Sequence, residues 1–365
     1  MKIAFIGGRN IHKLGGIETY MYNLCTKLKE MGHEPIVYCE SDRNYEEVVN
    51  GFKVIHWKSP KSVYICKIYI GLRSTLNAIT KQKGVKVFHY NAWPPSLWSW
   101  IPRLFGRKAI LMGHGLEWKR TKYSPRKQKI IRLMERITAK MNNHLIMVSQ
   151  EQTDWYASEY NKTCATIPTA VNLPVNFTDS DILQKYDLQK EGYYLYLGRL
   201  VQDKNPDYLI KAFLKANCKD TKLVIAGAND SDPEYVKYLH NIAAGDNRVV
   251  FTGAVYGLDK ETILKNCKVF CIPSTIEGLA ITLLEAMSYA KPVIASNIEA
   301  NKEGLGDNGI WVSPENEDDI CNAILYCEKN IDKLEEQAMK NRSRIERYFT
   351  WDRISSLYDD YIKSL

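Results

Sequence analysis

Short apolar runs alternate along the chain with longer stretches whose apolar positions recur at helical spacing. The first run, Lys2 to Ile6, ends at Gly7-Gly8; Ile17, Tyr20, Met21, Leu24 and Leu28 then mark an amphipathic helix that Gly32 stops before the next run, Pro35 to Tyr38. Further strand-length runs stand at Phe52–Trp57, Val85–Tyr90, Ala109–Met112 and Leu145–Ser149, and a helix is expected from Gln150 to Tyr160. After a polar, sparsely patterned stretch the alternation starts again, with Tyr193–Leu197, Leu223–Ala226, Val249–Phe251, Val269–Ile272, Pro292–Ser296 and Trp311-Val312. A last helix runs from Trp351 to Ile362. Strand alternating with helix predicts parallel sheets joined by right-handed crossovers. Two such series in 365 residues, too many for one comfortable core, predict two α/β domains. The expected division is 1–172, a connection at 173–192, a second domain at 193–346 and a closing segment at 347–365.

One stretch carries the clearest chemistry. In VFCIPSTIEGLAITLLEAMSYAKP, residues 269–292, a strand closes at Pro273-Ser274-Thr275, and Glu277-Gly278 open a helix whose Leu279, Leu283, Leu284 and Met287 share a face. Strand, tight turn and helix point free N–H groups at an anion. Glu277 lies at the turn and Glu285 eight residues on, about two helical turns in. Either acid alone reads equally well as dipole complementation or a solvated helix position. Together, beside an anion-attracting helix end, they suit a ligand with hydroxyls on both sides of its phosphates, as a nucleotide sugar has.

Other residues gather at strand ends. Arg199 and Lys204, in GRLVQDKNP at 198–206, follow a strand's carboxyl end, where two cations would neutralise a diphosphate. Gly15-Gly16 precede the first helix and let backbone approach a ligand; the G-x-G-x-x-G dinucleotide spacing is absent. His114 ends the strand that reaches Met112, a place where open α/β sheets hold ligands.

Charge separates the halves. Residues 1–175 carry a net +15 and residues 176–365 a net −7. No helix-turn-helix, finger or RNP-type motif accompanies the basic half, so nucleic acid is not expected as a partner. An anionic membrane surface or a lipid-diphosphate acceptor fits that charge, as does a merely basic soluble surface. Two stretches could serve a headgroup layer: the aromatic and Pro-rich 92–105, and the basic helix bearing Arg126, Lys127, Lys129, Arg132, Arg136 and Lys140. Buried tryptophans and a solvated helix face are the plainer readings of the two. No apolar run approaches the ~20 residues of a membrane span, and the N-terminal run is too short for a signal peptide, so a cytoplasmic protein is expected. Nine scattered cysteines without a CxxC pair predict reduced thiols and no metal site.

The 269–292 stretch resembles the Glu-x7-Glu signature of the family-4 retaining glycosyltransferases, and GRLVQDKNP resembles that family's diphosphate clamp. GGIE at 15–18 is similar to its donor-facing glycine loop. GHGLEWKR at 113–120, with GGIETYMYNL, resembles a bacterial rhamnosyltransferase-like branch. The resemblance implies the GT-B fold: two Rossmann-like domains with parallel sheets facing an interdomain cleft, and a terminal helix crossing back to the first. It implies that Glu277 and His114 orient the donor sugar, that Glu285 holds the ribose, and that Arg199, Lys204 and the backbone at Gly278, Leu279, Ala280 and Ile281 meet the diphosphate. Gly15 and Gly16 join the donor site. Gly227, Thr252, Gly253 and Val255 would line the base and ribose pocket, and Glu117, Trp118, Lys119 and Arg120 the acceptor side. Two departures stand out: Ala280 where many relatives have Gly, and Thr169-Ala170 where they carry an Asn-Gly or similar pair.

The implied reaction moves a sugar from a nucleotide diphosphate to a hydroxyl with retention, the leaving phosphate taking the acceptor proton and no metal or other cofactor being needed. The leading donor is dTDP-L-rhamnose, although a 2′-deoxyribose gives Glu285 only a 3′-hydroxyl. The implied acceptor is a lipid-linked glycan for cell-surface polysaccharide at the inner membrane face. A GT-B nucleotide-sugar epimerase, a phosphorylase and a catalytically silent nucleotide-sugar-binding subunit are the other readings.

Overall fold

The computed structural model describes every residue except 13–14, 61–62, 121–122 and 230–231, together with the side chains of 63 and 64. It divides into two compact α/β units. The first comprises Met1–Lys119, Tyr123–Ala170 and Trp351–Leu365; the second is built on Val171–Thr350.

The first unit holds eight strands: β1 (Lys2–Gly8), β2 (Glu34–Ser41), β3 (Tyr45–Val49), β4 (Phe52–Lys58), β5 (Val85–Asn91), β6 (Lys108–Gly113), β7 (His144–Met147) and β8 (Ala165–Thr166). Their order is β3-β4-β2-β1-β5-β6-β7-β8, parallel except where β3 returns against β4. Past Lys2, β1 is buried throughout, because helices cover both faces of the sheet. On one face Tyr20, Leu24 and Leu28 of helix Gly16–Glu30 share a core with Trp351, Ile354, Tyr358 and Ile362 of helix Trp351–Ser364. Buried polar contacts fix that terminal helix as well: the His33 ring pairs with Asp359 at 3.0 Å, and His89 Nδ1 meets the Tyr358 hydroxyl at 2.8 Å.

The second unit holds β9 (Tyr193–Leu197), β10 (Lys222–Ala226), β11 (Val249–Gly253), β12 (Val269–Ile272), β13 (Val293–Ser296) and β14 (Ile310–Val312). All are parallel, in the order β11-β10-β9-β12-β13-β14. Residues 173–192, expected to be a connection, belong to this unit. Ile182, Leu183 and Leu188 are buried in one core with Ile263 and Leu264, while Asp179 pairs with Lys265 at 2.8 Å. Three apolar residues suffice to dock that segment, too few for periodicity to reveal.

Strand order reverses between β1 and β5 in the first sheet and between β9 and β12 in the second. The crevice beyond the carboxyl ends at such a switch point is where open α/β sheets bind ligands. No helix among the described residues is long and apolar enough to cross a membrane.

Candidate active site

In the second unit the two strands at the switch point run into the two loops singled out in the sequence. β9 leads to Gly198–Asn205 and β12 to Pro273–Ala280. Asn205 joins them. It adopts left-handed backbone (φ 51°) as the cap of helix Pro206–Ala216, and its buried amide donates to Pro273 O at 2.9 Å and Thr275 Oγ1 at 2.8 Å. Thr275 N–H returns a bond to Asp203 O at 2.9 Å. Gly227, after β10, is there for space: a Cβ would stand 1.9 Å from Gly198 O, so only glycine lets these loops pass so closely.

This stitching brings Lys204 to Glu277. Lys204 Nζ donates to Glu277 Oε1 at 2.6 Å, and the buried Ser274 hydroxyl donates to the same oxygen at 2.7 Å. The two charged side chains are 16% and 10% exposed. Ser274 is held in turn, its carbonyl accepting from the Ser296 hydroxyl, to which Asn301 donates at 3.0 Å. Arg199 is exposed just past β9, its carbonyl accepting from the Tyr196 hydroxyl at 2.7 Å. Burial, then the Glu277 charge, pushes that phenol far up, so Tyr196 stays a neutral donor.

Helix Ile281–Ser288 starts beyond Glu277 with Ala280 as its cap and no side-chain cap bond. In its first turn Leu283 N–H donates to the Ala280 carbonyl at 3.1 Å, and the N–H groups of Ile281 and Thr282 come too early in the helix to have an acceptor four residues back within it. Glu285 sits farther along that helix and is engaged by a residue the sequence did not single out: Lys260 of helix Gly257–Asn266 donates to Oε1 at 2.6 Å. Nothing in the spacing of 260 and 285 announces that pair. Leu279, Ala280 and Val255 bury their side chains in the core, so only their backbone is available to a ligand. Thr252 and Gly253 end β11, with Gly253 at φ +71° and the Tyr186 hydroxyl donating to Thr252 O at 3.1 Å.

In the first unit His114 follows β6. Asn91, fully buried at the end of β5, donates through Nδ2 to Ile6 O at 3.4 Å, which turns its Oδ1 toward His114 Nε2 at 3.1 Å. Nε2 therefore carries the ring proton and Nδ1 is the acceptor. Burial, then the Lys67 charge, draws the His114 pKa down to about 3, so the ring is neutral. Ala92, the next residue after Asn91, has φ 73° and ψ 170°, a glycine region that costs another residue about 1–3 kcal/mol. Gly15 and Gly16 open helix Gly16–Glu30, where the nearly buried Glu18 folds back: its Oε1 accepts from Arg9 N–H at 3.0 Å, and a Cβ on Gly15 would lie 2.3 Å from Oε2. Sequence reasoning missed Asn91, whose partner His114 lies 23 residues on, and Glu18, which reaches back to the backbone of Arg9.

The 117–120 segment is largely engaged within the first unit. Tyr123 donates to Glu117 at 2.5 Å, Lys119 pairs with Glu151 at 3.0 Å, and Trp118 packs on Trp155 with ring centres 5.1 Å apart. Arg132 lies over both indoles, and Glu135 is buried nearby, accepting from the Tyr160 hydroxyl at 2.9 Å. Burial raises the Glu135 pKa to about 7. Among the described residues no group of three or more His, Cys, Asp or Glu is placed to hold a metal ion.

Comparison with known proteins follows this division. Residues 14–174 match the family described as Glycosyltransferase Family 4, and residues 179–344 the one described as Glycosyl transferases group 1. An uncharacterized glycosyltransferase of Methanocaldococcus jannaschii is 38% identical over 133 residues, 36% of this chain and 34% of that protein. The O-antigen chain mannosyltransferase B of Escherichia coli is 28% identical over 174 residues, 47% of this chain and 45% of its own. The chain thus aligns with less than half the length of either. The fold matches sucrose-phosphate synthase from Thermosynechococcus elongatus (TM-score 0.84, 19% identity) and Anabaena HepE in complex with UDP and glucose (TM-score 0.80, 19% identity), each covering all of both chains. With both units accounted for, the chain belongs to the family-4 glycosyltransferases of GT-B fold.

Proposed function

We propose that the protein transfers a sugar from a nucleotide diphosphate to a hydroxyl, with the anomeric configuration retained. The observation that carries this is the Lys204–Glu277 pair beside the uncapped helix Ile281–Ser288, at the switch point of β9 and β12. A lysine, an exposed arginine and the N–H groups that open the helix supply what a departing diphosphate needs. Carboxylates supply what sugar and ribose hydroxyls need. In this reading Arg199 and Lys204 take the diphosphate with the backbone of Gly278, Leu279, Ala280 and Ile281. Glu277 and the neutral His114 orient the sugar, Glu285 holds the ribose, and Gly227, Thr252, Gly253 and Val255 border the nucleoside through backbone. Gly15 and Gly16 approach the donor, and Glu117 to Arg120 serve the acceptor.

Catalysis then comes from stabilising the leaving diphosphate, which takes the acceptor proton itself; no side chain is assigned as general base. The acceptor is a hydroxyl of a lipid-linked glycan; the O-antigen chain mannosyltransferase among its relatives supports the glycan part of that reading.

The loops at 15–24 and 113–120 support L-rhamnose from dTDP-L-rhamnose as the donor. Mannose from GDP-mannose is the second reading, favoured by the mannosyltransferase relative. Titration calorimetry with dTDP-L-rhamnose, GDP-mannose and UDP-glucose decides between them. Binding of dTDP-L-rhamnose at least tenfold tighter than the others is expected. Preference for GDP-mannose removes the rhamnose assignment, and failure of every activated sugar to bind removes the transfer reading.

A further inference from the structure

We propose that the outward face of helix Pro125–Met141, in the first unit, is a docking surface for an anionic lipid leaflet. The helix buries one side, through Ile131, Glu135, Thr138 and Ala139. The opposite side is apolar. Ile130, Leu133 and Ile137 are 61%, 55% and 38% exposed and, at 100° per residue, fall within about 60° of arc. Exposed aliphatics in one line along a helix that already has a buried face need a second cover.

Charge identifies that cover. Lys129, Arg136 and Lys140 flank the stripe on one side and Lys127 on the other, with Arg126 at its N-terminal end, and all five are exposed. The helix's one carboxylate, Glu135, points inward to Tyr160. A protein partner or a second copy of the chain would meet an unrelieved row of cations. A bilayer carrying anionic headgroups takes both components at once, with the aliphatics at the acyl boundary and the cations at the phosphates.

A second exposed apolar and basic cluster adjoins the end of the helix. Arg103 donates to the carbonyl of Met141, which seats the short helix Trp100–Leu104 against its last turn. There Leu104 and Phe105 are 73% and 62% exposed, Trp100 is 44% exposed, and Arg103, Arg107 and Lys108 stand among them. Two segments distant in sequence thus present the same pairing of exposed apolar and basic side chains. The surface lies outside the donor loops, and the inference does not rest on the sugar-transfer reading.

The test is sedimentation of the full chain with extruded vesicles of phosphatidylcholine alone or with 30 mol% phosphatidylglycerol, at about 0.1 M salt where surface charges still act over ~10 Å. Binding to the anionic vesicles only is expected. Each cation near such a surface contributes about fivefold, so K129E/R136E/K140E should bind about a hundredfold more weakly. I130S/L133S/I137S should lose at least tenfold, and the charge-matched control K219E/K237E/K333E, on exposed lysines of the second unit, should bind as the parent does. Circular dichroism and nucleotide-sugar binding of each variant report whether it is folded. Parent that ignores vesicles, or binds neutral ones equally, overturns the proposal. So does an apolar variant that binds as the parent does, which would leave a bare polyanion patch, or a parent that dimerises through this face.

Discussion

Replacing Lys204 with Met separates two roles that the geometry gives one residue. Lys204 neutralises Glu277 in the fold, and under the proposed function it also meets the diphosphate. The structural part can be sized. Breaking a fully buried ion pair by removing one partner costs about 3–5 kcal/mol, and an exposed pair is worth about 0.2–1 kcal/mol. With side chains 16% and 10% exposed and Ser274 still donating to the same carboxylate oxygen, Lys204→Met should cost about 2 kcal/mol. In a unit of this size that lowers Tm by roughly 4–8 °C. Glu277→Gln in the same background removes the stranded charge and keeps an acceptor for Ser274, so K204M/E277Q should regain most of the loss.

Turnover should not follow. Removing one preorganised group from a developing oxyanion costs about 10²–10³ in kcat, and restoring the fold returns none of it. Tm by calorimetry and initial rates with saturating donor test both halves on the parent, the two single variants and the double. The expected outcome is a double variant about as stable as the parent and at least a hundredfold slower. If K204M/E277Q recovers both stability and turnover, Lys204 is only the counter-ion of Glu277, and the diphosphate assignment fails.

Two further outcomes follow from other pairs. Lys260→Met frees Glu285 from its cation, and because under the proposed function Glu285 holds the ribose, KM for the donor should rise about three- to tenfold with kcat within about twofold; a fall in kcat at unchanged KM would contradict this. Glu135, pushed from its ordinary 4.5 to about 7 by burial, binds its proton more tightly folded than unfolded. Its stabilisation is therefore complete below pH 4.5 and lost as pH rises through 7, about 3 kcal/mol in all. His89 and His114, both drawn down to about 3, act in the opposite sense: the stability they give above pH 6.5 is lost as pH falls toward 3. The difference between parent and Glu135→Gln cancels the histidines. Denaturant unfolding at pH 5 and 8 should show Glu135→Gln gaining on the parent by about 2.5 kcal/mol, and an unchanged difference would mean that Glu135 does not titrate in this range.

What was legible in the sequence was local. The loops after β9 and β12 announce themselves because an apolar run, a turn and a charged residue stand next to one another in the chain. The Asn50-Gly51 turn announces itself too, with φ 47° and 77° as a type I′ hairpin requires, yet β3 was not expected. Glu46 and Glu47 interrupt its apolar run because this edge strand is half exposed, and its Glu47 instead accepts from His56 at 2.7 Å. The 173–192 segment failed for a similar reason, since three buried side chains do not make a period. Pairings across the chain leave no local trace: Lys260 with Glu285, Asn91 with His114 and Arg103 with Met141 join elements that only the sheet order brings together.

Those long-range pairings also settle a difficulty in placing two carboxylates among groups meant for a diphosphate. Unpaired, Glu277 and Glu285 would repel the phosphates and oppose the helix end beside them. Each instead accepts from its own lysine at 2.6 Å, so the two acids and two lysines are balanced before any ligand enters. Under the proposed function Lys204, shared with Glu277, still meets the diphosphate, together with Arg199 and the N–H groups that open Ile281–Ser288. A paired carboxylate keeps lone pairs for sugar or ribose hydroxyls, which carry no charge for it to repel. The arrangement thus favours a ligand bearing both hydroxyls and a diphosphate over one bearing phosphate alone. On that reasoning inorganic pyrophosphate should compete with the donor far more weakly than the corresponding nucleoside diphosphate.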